Sequence, residues 1–151
     1  MRPTCVSLAT LALGAWLAGP VFGADATPGQ PAMTVTDEAQ LPSERFPWGT
    51  LKWLCDGKLS PGAAQTVGIA EILPGKTNPL HYHPNCEEVL HVISGRGTHS
   101  FDGRTVELGP GMTIRVPAGV KHNLTNTGTV PIRCLISFSS GDRKTVFLDE
   151  K

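Results

Sequence analysis

From Trp48 to Leu148 the chain never sustains one apolar pattern for long before a glycine, a proline or an Asp-Gly pair cuts it. TLKWLC, TVGIAEIL, EVLHVI, GTHSF, RTVEL, MTIRV, HNLTN, IRCLISF and KTVFL follow one another as separate runs. Each has the length of a strand, and the breaks between them are turn chemistry. Pro74-Gly75, Ser94-Gly95, Gly109-Pro110-Gly111 and Pro117-Ala118-Gly119 are such breaks, and Asp102-Gly103 is a strong hairpin signal. With 17 glycines and 13 prolines in 151 residues, the pattern predicts nine short strands and no helix of any length. A chain of that kind must hide its sheet edges. A closed or nearly closed antiparallel barrel of the jelly-roll kind does so. The expected fold class is therefore all-β, with one barrel spanning residues 48–151.

Two segments precede the barrel. Arg2 is the only charge before Asp25, Val6 to Leu17 is mostly apolar, and GPVFGADA supplies small residues at cleavage spacing. This is the pattern of a secretory signal peptide over residues 1–23, and the apolar run is shorter than the ~20 residues of a spanning helix. The protein is expected in the periplasm or outside the cell, free of the membrane once the signal is removed. Residues 24–47, rich in Pro, Thr, Ala and Gln, have no apolar period and read as an extended N-terminal arm. The 13 basic and 13 acidic side chains balance, which gives no electrostatic case for nucleic acid or an anionic membrane. Export leaves Cys55, Cys86 and Cys134, which allow either one disulfide and a free thiol or three reduced thiols.

The chemistry concentrates in GKTNPLHYHPNCEEVLHVISG, Gly75 to Gly95, which holds three of the five histidines. Side chains alternate along a strand, so His81 and His83 share a face. Beyond the Pro84-Asn85 turn, Glu88, Leu90 and Val92 share one face and Val89, His91 and Ile93 the other. Two imidazoles and a carboxylate across a tight turn suit Mn, Fe, Ni, Cu or Zn. A third nitrogen is available at His122, just after Pro117-Ala118-Gly119.

These residues resemble the cupin superfamily. Gly75, His81, His83, Glu88 and Gly95 match its first motif, G-x5-H-x-H-x4-E-x6-G. Gly111, Pro117, Gly119, His122 and Asn126 match the second, G-x5-P-x-G-x2-H-x3-N. The resemblance runs from about Trp53 to Phe147 and is closest to small single-domain bacterial cupins. It implies a small β-barrel holding one divalent ion through His81, His83, Glu88 and His122. Three neutral imidazoles and one carboxylate would leave such an ion a residual +1 charge and open positions, the kind of site that supports catalysis.

Neighbouring residues read differently. By alternation Glu87 is a surface acid, and His91 points away from the metal. His99, one strand on, is a weak candidate for a catalytic proton shuttle. Cys86 reads as packing and Asn126 as a turn or hydrogen-bonding residue. Leu90, Val92, Ile114, Val116 and Leu124 are expected to look inward, with Phe101, Ile136 and Phe138 capping the cavity. Asn78 and Leu80 are expected on the face opposite His81. The one tyrosine, Tyr82, and Arg115 both face outward, which argues against chemistry that needs a pocket tyrosine or a phosphate-binding cation.

Two classes of function fit. One is a metal-dependent enzyme acting on a small organic molecule as an oxygenase, decarboxylase or isomerase. The other is a non-catalytic module that holds a metal or small ligand. A second polar group beside the metal separates them, because an enzyme needs a positioned acid or base, and His99, Asn78 and Ser100 are the candidates. The apolar outer face of EVLHVI must also be covered. The arm could do this through Phe46, Trp48 or Leu51, and a second subunit could do it in a homodimer.

Overall fold

The computed structural model describes residues 33–148. The signal segment and the arm up to residue 32 lie outside the described residues. One 3-10 turn, Glu38–Gln40, is followed by eleven strands. They are β1 (Glu44–Phe46), β2 (Gly49–Cys55), β3 (Thr66–Ile72), β4 (His81–Tyr82), β5 (Glu88–Ser94), β6 (Gly97–Phe101), β7 (Arg104–Leu108), β8 (Thr113–Val116), β9 (His122–Asn126), β10 (Ile132–Phe138) and β11 (Val146–Phe147). The nine expected runs are all present. The additions are β1, within the stretch read as an arm, and the two-residue β4, which carries the first histidine of the motif. Among the described residues no helix is long and apolar enough to cross a membrane.

Two antiparallel sheets face each other. One has the order β1-β2-β3-β10-β5-β8 and the other β11-β4-β9-β6-β7. This is the jelly-roll arrangement expected from the turn spacing. Gly75, Gly95, Gly111 and Gly119 all adopt positive φ, between 69° and 82°. Gly95 shows why one of them cannot carry a side chain. At φ 78°, a Cβ there would also lie 2.6 Å from the Ile132 Cα. Asp102 and Gly103 form the β6–β7 hairpin turn with φ of 46° and 74°, as an Asp-Gly pair favours.

Register sets out the interior in layers. Glu88 pairs with Phe138, Leu90 with Ile136 and Val92 with Cys134. In the facing sheet His122 pairs with both His81 and Phe101, and Leu124 with His99. Residues paired across a ladder share a face. The interior therefore descends from a polar layer of Glu88, His81 and His122 to an apolar one. Val92, Ile132 and Cys134 are 0–1% exposed there. Each such aliphatic side chain contributes about 1.5–3 kcal/mol by leaving water. Asn126, 1% exposed, holds the floor together: its Nδ2 donates to the Ile72 and Val130 carbonyls, and its Oδ1 accepts from Gly128 N–H.

Candidate metal centre

His81, His83, Glu88 and His122 converge, each offering one ligand atom, and these four atoms lie within 4.8 Å of one another. All four residues are buried. Each histidine is aimed by a backbone carbonyl. Nδ1 of His81 lies 2.8 Å from Pro79 O, Nδ1 of His83 2.8 Å from Lys144 O, and Nδ1 of His122 2.9 Å from Val120 O. A carbonyl can only accept, so each Nδ1 must donate. Every ring therefore turns its Nε2 inward, the orientation that a neutral imidazole uses to bind a metal.

The carboxylate is the common partner. Glu88 Oε2 is 3.0 Å from His122 Nε2 and 3.2 Å from His83 Nε2. The His83 contact lacks hydrogen-bond geometry, which leaves Nε2 buried without a partner among the described residues. Burial opposes ionisation of Glu88, but the hydrogen bond from His122 and the close approach of the His83 imidazole outweigh it and hold its carboxyl well below the usual range. Burial likewise opposes protonation of His122, and the Glu88 bond outweighs it and raises the imidazole. His81 goes the other way: burial, then the neighbouring His122, pushes it down to about 4. The cluster thus consists of a carboxylate that must face a cation and an orphaned imidazole nitrogen beside it. A proton on His122 meets part of that demand, and a divalent ion among the four atoms would meet all of it.

A cavity of about 900 Å³ opens onto this cluster. Leu90, Leu124, Ile136 and Phe138 line it, as alternation predicts. Val92 is buried in the deeper core and Val116 is buried opposite Glu88 in the ladder, neither lining the cavity, and Ile114 packs against the core without reaching it. Phe101 does not cap it. Asn78 corrects its expected placement. β4 begins only at His81, so alternation does not extend back to it, and Asn78 lines the cavity with its Oδ1 accepting from Leu124 N–H at 2.7 Å. Phe46, Trp48 and Leu51 also line the cavity and do not cover the outer face of β5. Leu51 pairs with the inward Ala70 and so inherits its direction.

His99 is fully buried and lines the cavity, its ring stacked on His122 with centroids 5.5 Å apart. Neither ring nitrogen has a partner among the described residues, and burial followed by His122 pushes its pKa down to about 4. Burial thus favours its neutral imidazole form. His91 faces out as expected, with Nδ1 2.8 Å from Thr113 Oγ1, and Glu87 bonds Arg115 on the surface. Cys55, Cys86 and Cys134 are all free, and Cys86 belongs to the core.

Residues 142–148, which strand alternation left without a role, form a strap across the first motif. Asn85 Nδ2 donates to Asp142 O, Asn85 Oδ1 accepts from Lys144 N–H, and Leu148 N–H bonds Leu80 O. The strap supplies the carbonyl that aims His83, and Thr145 Oγ1 stands 3.3 Å from the same Nδ1. It also carries Arg143 to the cavity wall. The sequence signal for it was the run KTVFL, residues 144–148, which marked a strand but not its position across the motif.

Known proteins are similar over the same region. The family described as a cupin domain matches residues 68–138, a span that includes all four clustered residues. Germin-like protein 3-7 of rice (Oryza sativa subsp. japonica) is 30% identical over 82% of this chain and 62% of its own length. Polyketide synthase CurC of Streptomyces cyaneus is 28% identical over 70% of this chain and 68% of its own. The crystal structure of Lactobacillus farciminis oxalate decarboxylase, a formate complex, superposes with a TM-score of 0.68 at 25% identity, covering 73% of this chain and 34% of that one. The chain thus spans less than two thirds of the germin-like protein and about a third of the decarboxylase. Two facing jelly-roll sheets, both motifs in register and the family match over their length agree: residues 68–138 are a cupin domain, and the chain belongs to the cupin superfamily.

Proposed function

We propose that this chain is an exported, metal-dependent enzyme acting on a small organic molecule by oxygenase, decarboxylase or isomerase chemistry. His81, His83, Glu88 and His122 would hold one divalent first-row ion. The observation that carries the reading is the set of three Nδ1–carbonyl bonds, which turn three Nε2 atoms toward one carboxylate beside an open cavity. When bound, such an ion supplies Lewis-acid polarisation or a redox centre to an oxygen donor in the cavity. The protein's own part is to orient that donor, exclude water through the apolar walls and place His99 nearby as a neutral proton donor or acceptor. Two polar groups that serve no fold-wide network, His99 and Arg143, line the same cavity, which favours an enzyme over a simple metal cage. A relative that decarboxylates oxalate is an enzyme of small acids, in keeping with this class.

The test is metal analysis of the full chain and of a His81→Ala/His83→Ala variant. One ion per wild-type chain and none in the variant is the expected result. Stoichiometric metal in the variant rejects the site. Export is part of the proposal, and amino-terminal sequencing of protein from the cell envelope tests it. The proposal also includes a homodimer. Val89 and Ile93 stay 36% and 46% exposed on β5, and the residues suggested as an alternative cover line the cavity instead. A clean monomer by light scattering would remove the dimer.

A further inference from the structure

Arg143 differs from the two ion-paired arginines. Arg115 is paired with Glu87, and Arg133 is held between Glu38 and Glu71. No carboxylate lies within ion-pair distance of Arg143 among the described residues. Its one hydrogen bond runs from Nη1 to Thr145 Oγ1, and its Nε is buried without a partner. The guanidinium carbon sits 4.4 Å from the Trp53 ring centroid and 5.0 Å from that of Phe138. The two rings fix the plane of the half-buried cation and shield its faces from water, while its Nε–H has no acceptor among the described residues. Glu44, which lines the same cavity, is engaged by the Trp53 indole N–H at 3.0 Å.

A desolvated cation without a counterion is costly unless an anion completes it. Phe138 ties this cation to the metal cluster. The same ring that lies under the guanidinium stands 4.8 Å, centroid to centroid and edge-on, from His83. The cavity that Arg143 and the cluster share is walled largely by apolar side chains, Leu51, Ile72 and Ile136 among them. One cavity therefore offers a planar donor fork at one place, a site for a second oxygen donor at another, and hydrocarbon walls.

We propose that Arg143 is the substrate-anchoring residue of this cavity, its guanidinium taking the carboxylate of a small organic acid whose apolar body lies against Trp53 and Phe138. The assignment of the far end of that molecule to the metal cluster rests on the function proposed above; the carboxylate anchor does not. Arg143 lies beyond the segment matched by the family, so the anchor belongs to the strap of this chain and not to the shared motif.

The experiment is calorimetric titration of the full, metal-loaded chain with phenylacetate and with phenylacetamide, which has the same body without the charge. The acid should bind roughly ten- to a hundredfold more tightly, the range for a charge-assisted bond to a desolvated guanidinium. Arg143→Gln should abolish that preference while metal content and near-ultraviolet circular dichroism stay unchanged. Arg143→Lys keeps the charge without the fork and should fall between, and it decides the matter should the glutamine variant not fold. Equal binding of acid and amide, absence of acid binding in the millimolar range, or undiminished preference in either variant overturns the proposal. Repeating the titration on the His81→Ala/His83→Ala chain separates the two readings. Acid preference that persists there supports the anchor whatever becomes of the metal; its loss there, in folded protein, assigns the preference to the metal cluster and overturns the anchor.

Discussion

Replacing Asn126 with alanine tests how the barrel floor is held. The side chain is 1% exposed and makes three bonds to main-chain groups: to Ile72 O at 2.8 Å, to Val130 O at 2.9 Å and from Gly128 N at 2.8 Å. A typical intramolecular hydrogen bond contributes about 1 kcal/mol, and a buried group left unsatisfied costs about 1–3 kcal/mol. The three partners are not equivalent. Val130 is 56% exposed, so water can reach the turn that it shares with Gly128. Ile72 is 3% exposed, and its carbonyl would lose a donor that water replaces poorly. The sum is about 2–4 kcal/mol, or roughly 10 °C of melting temperature for a domain of this size. Urea unfolding of wild type and variant, each stripped of metal, measures it. Metal content after reloading should be unchanged, because the side chain bonds none of the four clustered residues. A loss below about 1 kcal/mol would show that the turn is held by its neighbours and that the three-bond argument is wrong.

Other outcomes follow from the same geometry. In metal-free protein, His81 and His99 take up protons only near about 4, whereas an unfolded histidine does so near 6.5. The unfolded state thus binds more protons across that window, so stability should fall by about 2–5 kcal/mol as pH drops from 6.5 to 4. The raised His122 contributes oppositely, with stability present below 6.5 and lost as pH rises through its folded value, and a flat acid limb in urea melts would refute the burial argument. Chelation should lower the melting temperature of loaded protein by mass action, by an amount equivalent to about 4 kcal/mol at a thousandfold excess of ion over its dissociation constant; coincident melts after verified removal would count against a fold-coupled site. Gly68→Ala places a Cβ 2.8 Å from the Trp53 ring and 2.9 Å from Lys52 O, so it should cost about 1–3 kcal/mol and weaken phenylacetate binding, whereas unchanged stability and binding would mean that the Trp53 wall is soft.

What could be read from the sequence depended on how far strand alternation reaches. Parity put His81 with His83 and turned Glu87 and His91 outward, while the two imidazoles and a carboxylate across the turn, together with the motif resemblance, joined Glu88 and His122 to the pair. It did not fix the face of His99, which stayed a weak candidate although β6 is a regular strand between β9 and β7. Alternation failed where strands are short or absent. Asn78 precedes a strand of two residues, and Arg143 follows Gly141 in a polar turn that has no period. Phe46, Trp48 and Leu51 were misplaced for another reason. Their direction comes from the partner strand, through pairs such as Leu51 with Ala70, and nothing within their own segment records it.

The strap has a consequence for when the ion arrives. A chain is made from its amino terminus, and all four clustered side chains emerge before Lys144, whose carbonyl aims His83. Until residues 142–148 have followed, that imidazole is free to turn. An ion met in that interval is chosen by the general affinity order of divalent metals, in which copper stands highest, and not by a fixed arrangement of donors. Only the finished strap imposes geometry on the choice. If the four side chains hold an ion as proposed above, its identity would thus be set by the compartment in which folding is completed.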